Sequence, residues 1–415
     1  MTDVRDHAGR PRVAVTGIGV KAPAGNDIAT LWANVRAGRS MAREIEQFDP
    51  SGLAVRFACE VRDFDPVEYF GPKEVRRQDR VTHFGFAAAV DAVTDAGELG
   101  ADPSRCAVVA STGVGGLNTL QENVTNYLQK GANRVSPFFV PMLMPNATAG
   151  AISIHFGFTG VSMCVSTACA AGANAIGEGV RMIRDGSADV VVAGGTEAFT
   201  SVTVAAFARM GALSTRNDAP ELASRPFDAD RDGFVMAEGS AFFVLESLER
   251  ARERGATVYG EVAGYGRNSD AFHITAPSPG GVGAATCMQQ AIEDAGLTPA
   301  EIGHINAHGT STPLNDAAET EAIHKVFGDD APPVTGSKGV LGHMVGAAGA
   351  VEALISLLAI ADGVVPPTAN FERTSDDAVL DVVAGDVREV GSKPVVSNSF
   401  GFGGHNASLV LTPTA

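Results

Sequence analysis

The chain has 415 residues, of which 45% are hydrophobic and 19% charged, a composition typical of a soluble globular protein. Its formal net charge of −17 argues against nucleic-acid binding, which requires a basic face. Five scattered cysteines, with no CxxC pair and no HExxH motif, predict reduced thiols in a cytoplasm and no zinc site. No signal peptide is recognisable, and the longest apolar stretches, near 190–195 and 353–361, are too short or interrupted to span a membrane.

Strands alternate with helices along the chain, and the pattern occurs twice. The apolar, glycine-ended run at 13–19 is similar to that at 260–266, and the run at 188–195 is similar to that at 393–398. An Ala/Gly-rich helix is predicted in each half, at 170–183 and 345–361. Such alternation indicates an α/β fold, and the repetition predicts two related halves, residues 1–260 and 261–415.

Cys169 is the strongest candidate nucleophile. It lies in Val-Ser-Thr-Ala-Cys-Ala-Ala-Gly, where a β-branched apolar run meets small residues, so a strand is expected to turn into a helix at the thiol. The free N–H groups and partial positive charge of a helix N-terminus favour thiolate over thiol. A lone cysteine is more often a small buried hydrophobe, but two later segments favour the catalytic interpretation.

Each of these later segments places a histidine in a glycine-rich turn after an apolar run. His308 lies in Asn-Ala-His-Gly-Thr-Ser-Thr-Pro, and His343 ends Gly-Ser-Lys-Gly-Val-Leu-Gly-His. Such turns allow a backbone to approach a substrate closely. Either histidine alone could be an ordinary hydrogen-bonded residue.

Together with Val13–Val20 and the glycine-rich run at 398–406, these segments resemble the β-ketoacyl-acyl-carrier-protein synthases. The resemblance is to the elongating type II synthases and the ketosynthases of type II polyketide pathways, and it extends from residue 13 to residue 411. It implies the thiolase fold, in which two similar α/β halves form five layers, α-β-α-β-α. The Ala/Gly-rich helices would form the central layer, with the active site between the halves.

The resemblance implies a decarboxylating Claisen condensation. The Cys169 thiolate would take an acyl chain from a carrier-protein thioester, and the N–H groups of Cys169 and Phe402 would stabilise the oxyanion. His308 and His343 would donate hydrogen bonds to the enolate formed from malonyl thioester. Phe402 also resembles a gating residue, in a glycine-rich loop with Phe400, Gly401 and Gly403.

Other site residues follow from the same resemblance. Lys338 would support the site electrostatically, paired with Glu319. Val114 would line an acyl pocket with room for long or rigid chains. The phosphopantetheine arm of the carrier protein would be held by hydroxyl groups, and no metal or further cofactor is expected; the matching positions are Thr310, Thr312 and Thr275.

A carrier protein is acidic and needs a basic patch on this acidic chain. In segment 72–80, Lys73, Arg76, Arg77 and Arg80 would share one face of a helix, although short charge runs are commonly just solvated. The resemblance favours docking on this segment and on Arg134, whereas Gly211 replaces a basic residue of some relatives. The family also implies a dimer.

Several alternatives remain open at this point. The chain could elongate fatty acids as a homodimer, or serve as a polyketide ketosynthase paired with a chain-length factor that lacks the cysteine. A non-catalytic partner subunit is disfavoured because Cys169, His308, Lys338 and His343 are all present. A degradative thiolase needs a second catalytic cysteine, and the C-terminal half offers only Cys287, in a predicted helix.

Overall fold

A computed structural model describes residues 4–414. Residues 1–3 of the first predicted half and residue 415 of the second lie outside the described part. Its strands are β1 (Val13–Lys21), β2 (Arg43–Glu44), β3 (Phe57–Ala58), β4 (Cys106–Ser111), β5 (Ser162–Val165), β6 (Val190–Glu197), β7 (Gly239–Ser247), β8 (Gly260–Ser269), β9 (His304–Asn306), β10 (Val334–Thr335), β11 (Val364–Val365), β12 (Arg388–Glu389), β13 (Val395–Gly401) and β14 (His405–Thr412).

Its α-helices are α1 (Ile28–Arg36), α2 (Pro72–Val75), α3 (Arg80–Ala96), α4 (Leu117–Lys130), α5 (Phe139–Leu143), α6 (Ala147–Phe156), α7 (Ala171–Arg184), α8 (Ser201–Arg209), α9 (Leu248–Glu253), α10 (Val282–Asp294), α11 (Pro313–Phe327), α12 (Lys338–Leu341) and α13 (Ala348–Asp362). Short 3₁₀ turns connect several of these elements, including Ala168–Ala170 before α7 and Val345–Ala347 before α13.

The main sheet repeats one topology twice. Its strand order is β10-β9-β13-β14-β8-β1-β7-β6-β4-β5. In the first half, antiparallel β1-β7-β6 continues into parallel β6-β4-β5; in the second, antiparallel β8-β14-β13 continues into parallel β13-β9-β10. Within the sheet, the strands of the two halves pair through β1 and β8, at Ala14 with Glu261 and at Val15 with Gly260. The predicted duplication is confirmed, whereas the residue at which the halves divide stays a prediction.

Five layers result from the packing of helices on these strands. Helices α3 and α6 cover the outer face of the first half, and α10, backed by α11, covers that of the second. Between the halves, α7 and α13 pack on each other, and α13 contacts strands of both. Gly172 and Gly349 allow this, because a Cβ on either would come within 2.8 Å of a backbone nitrogen of the facing helix. The α/β thiolase fold predicted from the sequence is confirmed.

Helix α13 corrects one expectation about apolar stretches. With the turn before it, the helical segment Val345–Asp362 has 18 residues and is long and apolar enough to cross a membrane by length and composition. However, 83% of that segment is buried inside the protein. The apolar side chains of α13 are therefore used to fill the layer between the two halves, as a core helix requires.

Candidate active site

Cys169 lies where the sequence predicted a strand-to-helix turn. Strand β5 ends at Val165, and the chain passes through the 3₁₀ turn Ala168–Ala170 into α7. Ala168 has φ +50°, a strained left-handed conformation for a residue with a Cβ. Such strain is typical of residues whose position is fixed by function, and here it presents the neighbouring thiol to the space between the halves.

His343 contacts the thiol directly. Its Nε2 lies 2.9 Å from Cys169 Sγ. The backbone of His343 is fixed by two hydrogen bonds, since its N–H donates to the Val235 carbonyl at 2.7 Å and its own carbonyl accepts from the Ala237 N–H at 3.0 Å. Gly342 must be glycine: its φ is +68°, and a Cβ there would lie 2.9 Å from the Cys59 sulfur.

His308 and Lys338 complete the cluster. The ring of His308 stands nearly perpendicular to that of His343, with 5.4 Å between centroids. The Lys338 Nζ donates to the His308 carbonyl at 2.5 Å and lies 3.3 Å from His308 Nδ1. An ammonium group can only donate, so Nδ1 accepts and the ring proton of His308 is on Nε2. Lys338 therefore fixes the tautomer of His308.

The predicted pairing of Lys338 with Glu319 is wrong. The carboxylate that pairs with Lys338 Nζ, at 2.5 Å, belongs to Glu352 of α13. Glu319 lies on α11, which follows the His308 loop and turns its carboxylate back to that loop, where it accepts the N–H groups of His308 and Gly309 at 2.8 Å. Glu319 thus holds the loop that carries His308, and burial raises the pKa of both glutamates to about 7.

Burial controls the protonation of the catalytic groups. It lowers the pKa of both His308 and His343 well below the usual value, and the positive charge of Lys338 lowers them further, so both imidazoles are neutral near pH 7. Burial also raises the pKa of Cys169 to about 12, although Lys338 and nearby N–H groups oppose this. Burial therefore has the larger effect on the pKa of the thiol, although the backbone N–H groups at this turn favour thiolate over thiol, as the sequence predicted.

Two backbone N–H groups point at the sulfur, those of Phe402 and of Cys169 itself, and both lower the pKa of the thiol. These are the two donors predicted for the oxyanion. The Phe402 N–H can approach because the turn that follows uses left-handed glycines, Gly403 at φ +84° and Gly404 at φ +73°. Phe400, on the same strand end, places its ring 5.9 Å from that of His308.

A cavity of about 550 Å³ opens onto the cluster and brings together most of the predicted site residues. It is lined by Val114, Cys169, Thr275, His308, Thr310, Thr312, Glu319, His343, Phe400, Gly401 and Phe402. Two of the threonine hydroxyls, those of Thr310 and Thr312, lie 2.8 Å apart, whereas the Thr275 hydroxyl lies 3.3 Å from the ring of His273 in its own loop. The described lining of the cavity does not include Gly403 or Lys338.

Sequence reasoning missed two of the groups at the site. Phe234 lines the cavity, with its ring 5.2 Å from that of His343, and it lies in a turn-rich stretch that carries no periodic signal. Glu352 has a signal that could have been used: it is the lone carboxylate within the apolar run of α13. A buried carboxylate requires a partner of opposite charge or several hydrogen-bond donors.

The cluster has metal-like spacing but a poor donor set for a metal. One ligand atom from each of Cys169, His308 and His343 lies within 4.8 Å of the others. However, Lys338 keeps the free lone pair of His308 on Nδ1, so Nε2 carries a proton and cannot bind a cation without a change of tautomer. The expectation that no metal takes part stays a prediction.

The basic segment at 72–80 is not one helix, so the predicted shared face is wrong. Helix α2 ends at Val75, and Asp79 accepts the Val81 N–H at 3.1 Å as the N-cap that starts α3. Arg80 is turned inward to the buried Glu238. Lys73, Arg76 and Arg77 remain exposed with Arg134, and Arg77 lies 4.9 Å from the ring of Phe138, which links the two predicted docking segments.

Comparisons with known proteins agree along nearly the whole chain. The model of the Beta-ketoacyl synthase N-terminal domain matches residues 10–251, and that of the C-terminal domain matches residues 259–372. A 3-oxoacyl-[acyl-carrier-protein] synthase 2 of Synechocystis sp. is 46% identical over 409 residues, covering 97% of this chain and 98% of the relative. One of the same name from Coxiella burnetii is 44% identical over 406 residues, covering 97% and 98%.

Solved structures are similar over the same length. The ishigamide ketosynthase/chain length factor has a TM-score of 0.93 and 36% identity, covering 98% of this chain and 100% of that one. A β-ketoacyl synthase from Burkholderia phymatum has a TM-score of 0.91 and 34% identity, covering 97% and 100%.

The contribution of Lys338 to the reactivity of Cys169 can be measured. Because the ammonium lowers the pKa of the thiol, Lys338→Met should raise that pKa and move the pH profile of iodoacetamide alkylation to higher pH. At pH 8 the reaction should slow roughly tenfold for every pH unit by which the profile moves. Lys338→Met leaves the Glu352 carboxylate without its partner. The double variant with Glu352→Gln also removes that charge, and its alkylation profile should still lie at higher pH than that of the wild type. An unchanged profile in both variants would contradict the assigned electrostatics.

Proposed function

The chain belongs to the β-ketoacyl synthase family, and we propose that it is an acyltransferase that condenses malonyl-acyl-carrier protein with a Cys169-bound acyl chain. The observation that carries this proposal is the contact between His343 Nε2 and Cys169 Sγ at 2.9 Å, within a cavity floored by two inward-pointing backbone N–H groups. A nucleophile, a proton acceptor and an oxyanion site are thereby within reach of one reacting carbon.

In the first half-reaction, a thiol must lose its proton as it attacks, because the pKa of Cys169 is about 12. His343 Nε2 accepts that proton while Sγ bonds to the thioester carbon. The N–H groups of Cys169 and Phe402 bind the resulting oxyanion. Collapse of the tetrahedral intermediate expels the thiolate of the carrier arm, which takes the proton back from His343, leaving acyl-Cys169 and a neutral imidazole.

In the second half-reaction, the malonyl thioester loses its carboxylate as carbon dioxide, and the bonding electrons form an enolate. The enolate oxygen is negative, and His308 Nε2–H, whose proton Lys338 fixes there, can donate to it. His343 joins as a second donor after its ring proton has moved from Nδ1 to Nε2, because the tautomer that accepts the Cys169 proton has no proton on Nε2. The enolate carbon attacks acyl-Cys169, and the Cys169 thiolate leaves. The product is a β-ketoacyl thioester two carbons longer, and the thiolate takes up one proton from solvent, which is the proton that decarboxylation of a malonyl carboxylate consumes overall.

The chain needs no resident cofactor for these steps. Substrates would arrive on the phosphopantetheine arm of a carrier protein, and Thr310 and Thr312, in the cavity wall before α11, present hydroxyls to hold that arm. Thr275 also lines the cavity, in a loop whose Ile274 carbonyl accepts the Gly403 N–H at 2.9 Å.

Fatty-acid elongation is the setting we favour. Its support is the identity of 42–46% to relatives named 3-oxoacyl-[acyl-carrier-protein] synthase 2, from several bacteria, over nearly the whole chain. The alternative is a polyketide ketosynthase that works with a chain-length factor, supported by the 36% identity to the ishigamide protein. A non-catalytic subunit is disfavoured by the complete cluster of Cys169, His308, Lys338 and His343.

A second subunit would complete this molecule. Strand β5 lies at the edge of the sheet, with one side unpaired, and an unpaired edge is a surface for another chain. Large apolar side chains are exposed on the elements that surround it, α4 to α6, including Leu128, Val140 and Ile154. Val114, which lines the cavity, is 52% exposed on the same side. We therefore propose a dimer, either of identical chains or with a chain-length factor.

An acidic carrier protein would dock on the exposed cations near this face. Among the described residues, Lys73, Arg76 and Arg134 form no ion pair, although the chain carries 48 acidic residues against 31 basic ones. Cations left unpaired in so acidic a chain are suited to an acidic partner. Nucleic acid is not a partner we propose, and we place the enzyme in the cytoplasm with its carrier protein.

The proposed condensation is tested by intact-mass spectrometry with a panel of acyl-carrier thioesters. Cys169 should gain the mass of the acyl group, Cys169→Ala should not, and malonyl-carrier protein should then release a β-ketoacyl product two carbons longer. Saturated chains accepted by a homodimer in native mass spectra would support fatty-acid elongation. Activity only with a second subunit would support the polyketide setting, and no acylation under any condition would refute both.

The role of Val114 as a wall of the acyl pocket predicts a change in chain length. Val114→Phe adds an aromatic ring to the cavity wall, so the longest acyl chain transferred to Cys169 should become shorter. Val202→Phe on α8, an exposed apolar position outside the cavity lining, serves as the matched control and should leave the preference unchanged. An unchanged preference in Val114→Phe would show that Val114 does not bound the acyl chain.

The docking patch predicts an electrostatic effect on KM. Arg134→Glu and Lys73→Glu should each raise the KM for an acyl-carrier thioester by roughly fivefold, the effect of about 1 kcal/mol from one exposed charge. The KM for the same acyl group on a small thioester should not change. Lys393→Glu, exposed at the opposite end of β13 from Gly401, is the control. Equal effects on both thioesters would argue against a carrier-docking role.

A further inference from the structure

A buried carboxylate that the chemistry above does not use lies beside the nucleophile. Glu197 is the last residue of β6 and is 2% exposed. Its Oε2 accepts the N–H of Gly113 at 2.7 Å and that of Gly346 at 2.9 Å, and its Oε1 accepts the Thr112 hydroxyl at 3.2 Å. One side chain therefore joins two loops that come from opposite halves of the protein.

Both loops are walls of the cavity. The first continues from Gly113 into Val114, and the second places Val345 two residues after His343. The glycines are also held through their carbonyls: Ser166 donates to Gly113 at 3.0 Å, and Ser111 donates to Gly346 at 3.3 Å. Ser166 lies three residues before Cys169, so the hydrogen bonds that hold Gly113 also connect it to the turn that carries the nucleophile.

The two loops need contacts with other parts of the protein to keep their geometry. Val345 has φ +41°, an unfavourable conformation for a β-branched residue, so the turn needs surrounding contacts to keep its shape. The loops approach this closely because both facing residues are glycines: a Cβ on Gly346 would lie 2.3 Å from the Gly113 nitrogen, and a Cβ on Gly113 would lie 2.8 Å from Val345 Cγ1. Glu197 is the side chain that accepts a backbone N–H group from each of the two loops, so it holds them at a fixed spacing, with the Ser111 bond to Gly346 as a second link.

We propose that Glu197 is a positioning residue that fixes the Val114 wall of the cavity relative to His343 and thereby sets which acyl chains Cys169 accepts. The inference rests on the proposed function, because it takes the cavity as the acyl site. A displacement of either loop would change the shape of the acyl pocket and the approach of His343 to the acyl carbon together.

The same carboxylate acts on the sulfur through its charge. Burial raises the pKa of Glu197 to about 7, and its negative form raises the pKa of Cys169. Loss of the charge should therefore lower the pKa of the thiol. This electrostatic effect can be separated from the hydrogen bonds that Glu197 makes to the two loops. A glutamine carboxamide oxygen can accept both glycine N–H groups while its NH₂ donates to the Thr112 hydroxyl.

The test compares three variants after the acyl preference of the wild type has been measured. Glu197→Ala should change the ratio of kcat/KM between the preferred acyl-carrier thioester and a shorter one by at least roughly fivefold. Glu197→Gln should keep the wild-type ratio but move the alkylation profile of Cys169 to lower pH. Glu60→Ala is the matched control: Glu60 is a buried carboxylate that accepts the N–H groups of Glu46 and Gln47 at 3.0–3.2 Å, away from the cavity lining.

The outcomes separate this inference from the proposed function. If the wild type is never acylated, the proposed function fails, and this inference fails with it. If the wild type is acylated but Glu197→Ala keeps its acyl preference, or Glu60→Ala alters the preference equally, the positioning role alone is overturned. Should Glu197→Ala not fold, Glu197→Asp, which retracts the carboxylate by one methylene, should change the ratio, and a wild-type ratio in Glu197→Asp would overturn the positioning role.

Discussion

The site depends on one buried cation. Lys338 is 1% exposed, and an ammonium so far from water is stable only with close partners, which Glu352 and the His308 carbonyl supply at 2.5 Å. Because Glu352 belongs to α13, the helix that fills the central layer also supplies the carboxylate that pairs with the charge of Lys338. The same cation fixes the proton of His308, adds to the effect of burial that keeps both histidines neutral, and opposes the effect of burial on Cys169.

The position of the site between two packed halves determines its chemistry. Helices α7 and α13 contact each other closely at Gly172 and Gly349, and Cys169, His308 and His343 are buried beside them. Dry surroundings strengthen each hydrogen bond to an oxyanion, but they also raise the pKa of Cys169 to about 12. A resting thiolate is therefore not available, and the 2.9 Å contact with His343 allows proton transfer to accompany attack.

Features encoded by local sequence could be predicted, and those decided by tertiary packing could not. Short runs of neighbouring residues encode the turn at Cys169 and the glycine-rich loops around His308 and His343. The alternation of strands and helices that recurs in each half is likewise a local pattern. The partner of Lys338 is not, because Glu319 and Glu352 are both buried acids and only the fold shows which one faces Nζ. Likewise, the charge pattern at 72–80 gave no sign that Asp79 caps a new helix there.

The least predictable property is the acyl preference, because one chain does not enclose the cavity. Val114 lies on its wall yet is half exposed, next to the free edge of β5 and the apolar face that we propose a second subunit covers. The identity of that subunit would then shape the pocket as much as Val114 and the hydrogen bonds of Glu197 to the two loops do. If that proposal holds, the choice between the fatty-acid and the polyketide setting depends on the second subunit rather than on the cluster of Cys169, His308, Lys338 and His343.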